Sequence, residues 1–201
     1  ESEKKELLDD LAGIDYDLIK QVYAHTHDGR ITDFKPAPFI KLPSTASEHE
    51  KFRQAHKAGE AHIRAGKVAA FLVAGGQGSR LGYDGPKGKF PAGPVSGKTL
   101  FHFHSEKIRA SQKKYGTVIP FFIMTSRDNH HETETFFREQ SYFGLDPVNV
   151  HFFTQNMIPS LDLKGKLILS EKNRIFMNPD GHGGSLTALR TSGALATMKH
   201  K

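Results

Sequence analysis

The chain of 201 residues contains no cysteine. A disulfide framework and a thiolate metal site are therefore excluded. No apolar run approaches the roughly 20 residues that a membrane-spanning helix needs. No charged-then-apolar leader marks the start, no segment is low in complexity, and no internal repeat is apparent. These absences lead to the expectation of a cytoplasmic protein with no membrane partner. With 37% hydrophobic and 25% charged residues, the chain can bury one substantial core.

Charge is unevenly placed. Residues 1–50 hold six Lys or Arg against eleven Asp or Glu, so the net charge of +6 is made of −5 there and +11 in the remainder. A basic body draws in anions. Its cations are scattered and lack the aromatic interleaving of single-strand binders, so anionic small molecules are the expected partners and nucleic acid is not. Oligomeric state is not readable from the sequence.

The richest segment runs from Phe71 to Gly93, FLVAGGQGSRLGYDGPKGKFPAG. Val68–Ala74 is a short apolar run of the kind that forms a buried parallel strand, and ligands of open α/β sheets bind just past the carboxyl ends of such strands. Gly75, Gly76 and Gly78 follow. Without a Cβ, backbone N–H groups can approach an oxyanion that a larger residue would exclude. Arg80 adds a planar fork of donors and Lys87 a compact point charge. A tight surface turn with two solvated cations is the competing account, and the preceding strand favours the phosphate cradle. Two other phosphate loops do not fit. The dinucleotide pattern G-x-G-x-x-G starts at Gly76 and Gly78 but meets Leu81 at its third glycine. The pattern G-x-x-x-x-G-K-[ST] ends well at Gly97-Lys98-Thr99 but has Ala92 where its first glycine belongs.

These residues resemble the UTP-dependent sugar-1-phosphate uridylyltransferases, in particular the UDP-N-acetylglucosamine pyrophosphorylase type. Leu72–Gly82 with Pro86-Lys87-Gly88 is similar to the family's activation loop. Lys98-Thr99-Leu100-Phe101, Ile123-Met124-Thr125-Ser126, Tyr142-Phe143-Gly144-Leu145, Phe153–Pro159 and Pro179–Gly184 recur in the family's order. The resemblance covers about Gly59 to about Leu189. It implies a Rossmann-like, GT-A-like nucleotide-diphospho-sugar transferase fold in three layers. It also implies UTP contacts from Leu72, Gly75, Gly76, Gly78 and Ser79, with Arg80 and Lys87 as catalytic cations.

Two later segments bear on the base. The amide of Gln155 offers a donor and an acceptor together, as a uracil edge requires. The resemblance implies uracil contacts from Gln155 and from the backbone at Gly181. A surface glutamine and an ordinary glycine turn are the plainer readings. His182 departs from the N-acetylglucosamine enzymes, which usually carry asparagine there, and resembles the Gly-His-Gly setting of UDP-glucose pyrophosphorylases. Two roles stay open for it: positioning a sugar hydroxyl or phosphate, or ordering the turn.

Other candidates are weaker. His102 and His104 are two apart on an expected helix, and His130 and His131 are adjacent. Neither pair has the i, i+4 spacing of a zinc helix. Ser79 has no evident His and acid partners for a nucleophile. The family resemblance implies Mg²⁺, held partly by an aspartate at a Val-Asp-Asn-type strand end. No such element stands before Lys201, so the expectation is a front portion of a longer enzyme with no metal ligand of its own.

Hydrophobic spacing divides the chain into an N-terminal helical extension, residues 1–65, and the nucleotide-binding part of an α/β domain, residues 66–201. A helix is expected at Tyr16–His25 and an extended connector at Lys35-Pro36-Ala37-Pro38. A second helix should run through His62, capped by Ser47 with Glu50 in a capping box. Thr99 should cap a third, with Phe101, Ile108 and Tyr115 on one face, ended by Gly116. Strands are expected at Val118–Thr125 and Val148–Thr154 with a helix near Asn129–Gln140 between them, a parallel arrangement. A hairpin at Lys166–Leu169 and Arg174–Met177 and a last helix opened by Gly184 complete the reading.

Overall fold

The computed structural model describes residues 2–27, 35–181 and 183–199. Its contacts divide the chain into two compact units, Glu1–Leu42 with Met157–Asp180, and Pro43–Asn156 with Gly181–Lys201. The boundary expected between residues 65 and 66 lies inside the second unit.

The second unit is organised by one strand. In β2 (Phe121–Thr125) every residue is buried. Phe121 and Ile123 enter one apolar cluster, Phe122 and Met124 another, because side chains alternate across a strand. β1 (Ala70–Val73) and β3 (Val150–Thr154) pair with β2 in parallel, in the order β1-β2-β3. Parallel neighbours need crossovers, supplied by α4 (Leu100–Tyr115) and α5 (His130–Glu139). Both pack on the same face, where Phe101 and Ile108 of α4 and Phe137 of α5 meet Phe121 and Ile123. Phe137 is fully buried, with the rings of Phe101, Phe143 and Phe152 at 5.0, 4.9 and 5.2 Å. α6 (Ser185–Thr191) and α7 (Ala194–Lys199) cover the opposite face with Ala188, Leu189 and Ala194. The expected α/β layering is present.

Strand β2 begins three residues later than the apolar run suggests. Pro120 has no N–H for a ladder, and only its carbonyl joins, accepting from the Ala70 amide at 2.8 Å. Helix α4 starts and stops as expected: the Thr99 hydroxyl accepts from the His102 amide at 3.3 Å, and Gly116 closes the helix at φ 66°.

The cap of α3 (Ala46–Arg64) lies two residues before the expected one. Thr45, not Ser47, is the N-cap, and Glu48, not Glu50, completes the box. The Glu48 carboxylate accepts from the backbone amides of Ser44 and Thr45, each at 3.0 Å, and from the Ser44 hydroxyl. These bonds, led by the Ser44 amide, hold its pKa at about 2 against an ordinary 4.5. A carboxylate with a depressed folded pKa stabilises the fold above its unfolded value and loses that contribution as pH falls. The first turn of α3 is therefore expected to loosen between about pH 4.5 and about pH 2. In E48Q that acid-dependent change should vanish. Amide exchange of residues 45–49 against pH measures it.

The first unit contains α1 (Ser2–Ala12) and α2 (Tyr16–His27) with two antiparallel pairs. β4 (Met157–Pro159) pairs with β7 (Met177–Pro179), and β5 (Leu169–Glu171) with β6 (Arg174–Ile175). A hairpin stands near the expected place but is shifted and shorter: of the expected Lys166–Leu169 only Leu169 is in the pair, Arg174–Ile175 form its second strand with an irregular register, and Met177 pairs with Pro159 instead. Helix α1 was not expected. Its carboxylates serve the hairpin: Asp10 accepts from the Ile175 amide at 3.1 Å and from Arg174 at 3.2 Å, and Glu6 accepts from the Asn173 amide group at 2.6 Å.

Candidate functional site

The three parallel strands end on a common rim. Ala74, just past β1, donates its amide to the Met124 carbonyl at 2.7 Å, and Gln155, just past β3, donates to the Thr125 carbonyl at 2.8 Å. From Ala74 the chain folds into a loop whose two legs bond to each other. The Gly78 amide donates to the Gly85 carbonyl at 2.9 Å, and the Lys87 amide to the Gly76 carbonyl at 3.0 Å. A short 3₁₀ turn, Ser79–Leu81, forms the tip, and a second, Lys87–Lys89, closes the returning leg.

Close approach explains two of the glycines. At Gly75 a Cβ would lie 3.0 Å from both polar atoms of the Gln155 amide, and at Gly78 one would lie 2.9 Å from the ring and carbonyl of Tyr83. At Gly76 the neighbour is the Lys87 ammonium, 3.7 Å from where a Cβ would stand. Successive glycines thus face a neutral amide and then a cation.

The structure brings some of the predicted residues together and not others. Leu72, Gly76, Arg80 and Lys87 line one cavity of about 400 Å³. Lys87 is half-buried and Arg80 exposed. Gly75 and Gln155 form an adjoining pair, and Gln155 is 7% exposed. Ser79 is exposed at the loop tip, its carbonyl accepting from the Gly82 amide at 3.0 Å. Gly181 has φ 73° with open space where a Cβ would point, a conformation glycine adopts without strain. His182 lies outside the described residues.

Six residues that line the cavity, Val73, Ala74, Gly88, Leu100, Phe101 and His104, were not among the predicted site residues. His104 lines the cavity with Arg80 and Lys87, one turn into α4. Burial, and secondarily the charge of Lys107, hold its pKa below the ordinary imidazole value, so it stays neutral further into the acid range. Phe101 supplies part of the apolar wall. Weighing the histidines only as metal ligands hides His104, whereas its position four residues after Leu100, which lines the same cavity, is a usable signal.

Among the described residues no group of three or more His, Cys, Asp or Glu could hold a metal ion. No helix among the described residues is long and apolar enough to cross a membrane.

Fold and loop together define an α/β domain with a glycine-rich, doubly cationic loop at the carboxyl rim of its parallel sheet. The chain belongs to the UTP-glucose-1-phosphate uridylyltransferase family, whose profile matches residues 20–201. It is 42% identical over 160 residues to UDP-N-acetylhexosamine pyrophosphorylase-like protein 1 of Mus musculus, covering 77% of this chain and 30% of that one. Identity with UDP-N-acetylglucosamine pyrophosphorylase of Saccharomyces cerevisiae is 35% over 176 residues, covering 86% and 37%. The crystal structure of uridine diphosphate N-acetylglucosamine pyrophosphorylase from Trypanosoma brucei in complex with inhibitor superposes with a TM-score of 0.72 at 30% identity, over 94% of this chain and 40% of that one. The chain spans 30% and 37% of the length of the two curated relatives.

Proposed function

We propose that this chain is the nucleotide-binding part of a cytoplasmic uridylyltransferase that transfers UMP from UTP to a sugar-1-phosphate, releasing pyrophosphate. The observation that carries the reading is the pairing of Gln155 with Gly75 and of Lys87 with Gly76. Gly75 thus faces an amide with both donor and acceptor, and the next residue, Gly76, faces a cation. The first suits a uracil edge and the second a phosphate.

In the proposed reaction an oxygen of the sugar phosphate attacks the α-phosphorus of UTP. The new P–O bond forms as the bond from the α-phosphorus to the bridging oxygen breaks, and pyrophosphate leaves with that electron pair. No covalent enzyme intermediate is needed. Arg80 and Lys87 bind the phosphates and stabilise the charge that accumulates on the leaving group. Mg²⁺ belongs to the proposal as an expectation from the family, and this chain is asked only for phosphate and base contacts.

N-acetylglucosamine-1-phosphate is the acceptor we favour, since both curated relatives are named for N-acetylated sugars. Glucose-1-phosphate is the alternative, motivated by His182. Assay of the complete protein with UTP and a panel of sugar-1-phosphates, following pyrophosphate release, tests activity and acceptor together. The chain alone should bind UTP weakly and turn over little or nothing. Steady-state UDP-sugar synthesis by it at the rate of the complete protein would contradict this division of labour.

Base recognition makes a separate prediction. Valine at Gly75 must displace the Gln155 amide, which already sits 3.0 Å from the position of the Cβ. The preference for UTP over CTP is expected to fall by about tenfold, the worth of one hydrogen bond of about 1.4 kcal/mol. Competitive titration of the two nucleotides measures it, and unchanged selectivity would remove Gln155 from the base site.

A further inference from the structure

The first turn of α5 holds both legs of the glycine loop while lining none of the cavity. At the front leg stands Asn129, fully buried. Its side-chain amide donates to the Ala74 carbonyl at 3.0 Å, its side-chain oxygen accepts from the Ser126 amide at 2.9 Å, and its own amide donates to the Ser126 hydroxyl at 3.2 Å. One side chain thus fastens the end of β1, where the loop departs, to the end of β2. At the returning leg stands Glu132. It accepts from the Lys89 ammonium at 2.7 Å, and its carboxylate oxygen lies 3.2 Å from where a Cβ at Gly85 would be. Lys89 is further fixed over the Phe136 ring, 5.1 Å from its centre. Lys87 sits between Gly85, whose carbonyl accepts from the Gly78 amide and which lies against Glu132, and Lys89, which Glu132 binds.

We propose that Asn129 and Glu132 are positioning residues that fix the separation of the two loop legs and thereby place the Lys87 ammonium over Gly76. The inference rests on the nucleotide reading given above and extends it to a clamp outside the pocket. A loop of this kind binds phosphate well only if its donors and cation are already in place, since ordering them on binding costs affinity. The Lys89 to Glu132 pair is partly exposed and contributes little to global stability. Its effect is therefore expected in binding rather than in folding.

The test is titration of the wild-type chain, E132K, K89E/E132K and N129D with UTP and with UMP, beside thermal unfolding of each. The wild type should bind UTP more tightly than UMP. In E132K two ammonium groups oppose each other where α5 meets the returning leg, and the UTP to UMP affinity ratio should fall about fivefold while UMP affinity and unfolding hold. The double variant K89E/E132K rebuilds the pair in reverse and should restore the ratio. N129D loses the donor to Ala74 and should lower the ratio as well. A wild-type ratio above one that E132K leaves unchanged, or a loss that the charge reversal does not repair, overturns the clamp alone. A wild-type ratio of one overturns the triphosphate reading itself.

Discussion

Replacing Gly88 with alanine is expected to destabilise the protein by about 3 kcal/mol, the upper range for overpacking a core, and to abolish nucleotide binding with it. A Cβ there would fall 2.0, 2.2 and 2.3 Å from three ring atoms of Phe101. Those distances are far inside contact, so something must move. Gly88 cannot yield easily, because the turn around it is tied by the Lys87 amide to Gly76 and by the Lys89 amide to Pro86 at 2.9 Å. Phe101 cannot yield either. It is 1% exposed and its ring meets Phe137 edge-on at 5.0 Å. Close-packed interiors transmit such strain rather than absorb it. Chemical denaturation gives the loss directly, and the double variant G88A/F101A gives the cause: the added methyl group then enters space vacated by the ring. Its destabilisation should fall well short of the sum of the two single variants. Additivity would show that the alanine acts elsewhere.

This contact also marks how far the site is legible in the sequence. The glycine run, Arg80, Lys87 and the apolar strand before them are local, and their joint chemistry is visible without a fold. Thr99 and Gly116 are equally local, since a cap and a left-handed terminator act on their own turn. What stays hidden is long-range. Gln155 lies eighty residues from Gly75, and only the parallel pairing of β1, β2 and β3 brings their ends to one rim. Asn129 and Glu132 look like an ordinary polar helix start until β2 sets that helix against the loop. The shift from Ser47 to Thr45 at the start of α3 is of another kind. Both residues can cap, and both have a glutamate three places on, so the sequence offers two registers. The Ser44 amide and hydroxyl decide between them by bonding Glu48. The turn at 141–144 has no signal in hydropathy at all: Ser141, Tyr142 and Phe143 have φ of 49°, 52° and 53°, a left-handed run that L-residues avoid. Burial of Phe143 among the core rings and a 3.1 Å bond from Arg109 to its carbonyl offset that cost.

Lys87→Met is expected to weaken UTP binding by about 10- to 100-fold with little change in unfolding temperature. The range corresponds to about 1.5–3 kcal/mol for a hydrogen bond to a charged group. Methionine keeps most of the aliphatic stem that the half-buried lysine packs into the loop, so the change isolates the ammonium. Two cations share the cavity, but they should not matter equally. Lys87 is half-buried above Gly76, where water and salt screen it less, whereas Arg80 is exposed at the loop tip. R80A should therefore cost less at physiological salt and should lose its effect as salt is raised, while the deficit of K87M should persist. Arginine at position 87 should not restore affinity, because its broader planar head does not replace a compact ammonium between two bonded legs. Calorimetric titration of UTP at two salt concentrations separates these outcomes. If K87M bound UTP as the wild type does, the ammonium over Gly76 would have no part in phosphate recognition. The loop would then be a structural turn whose charges face solvent.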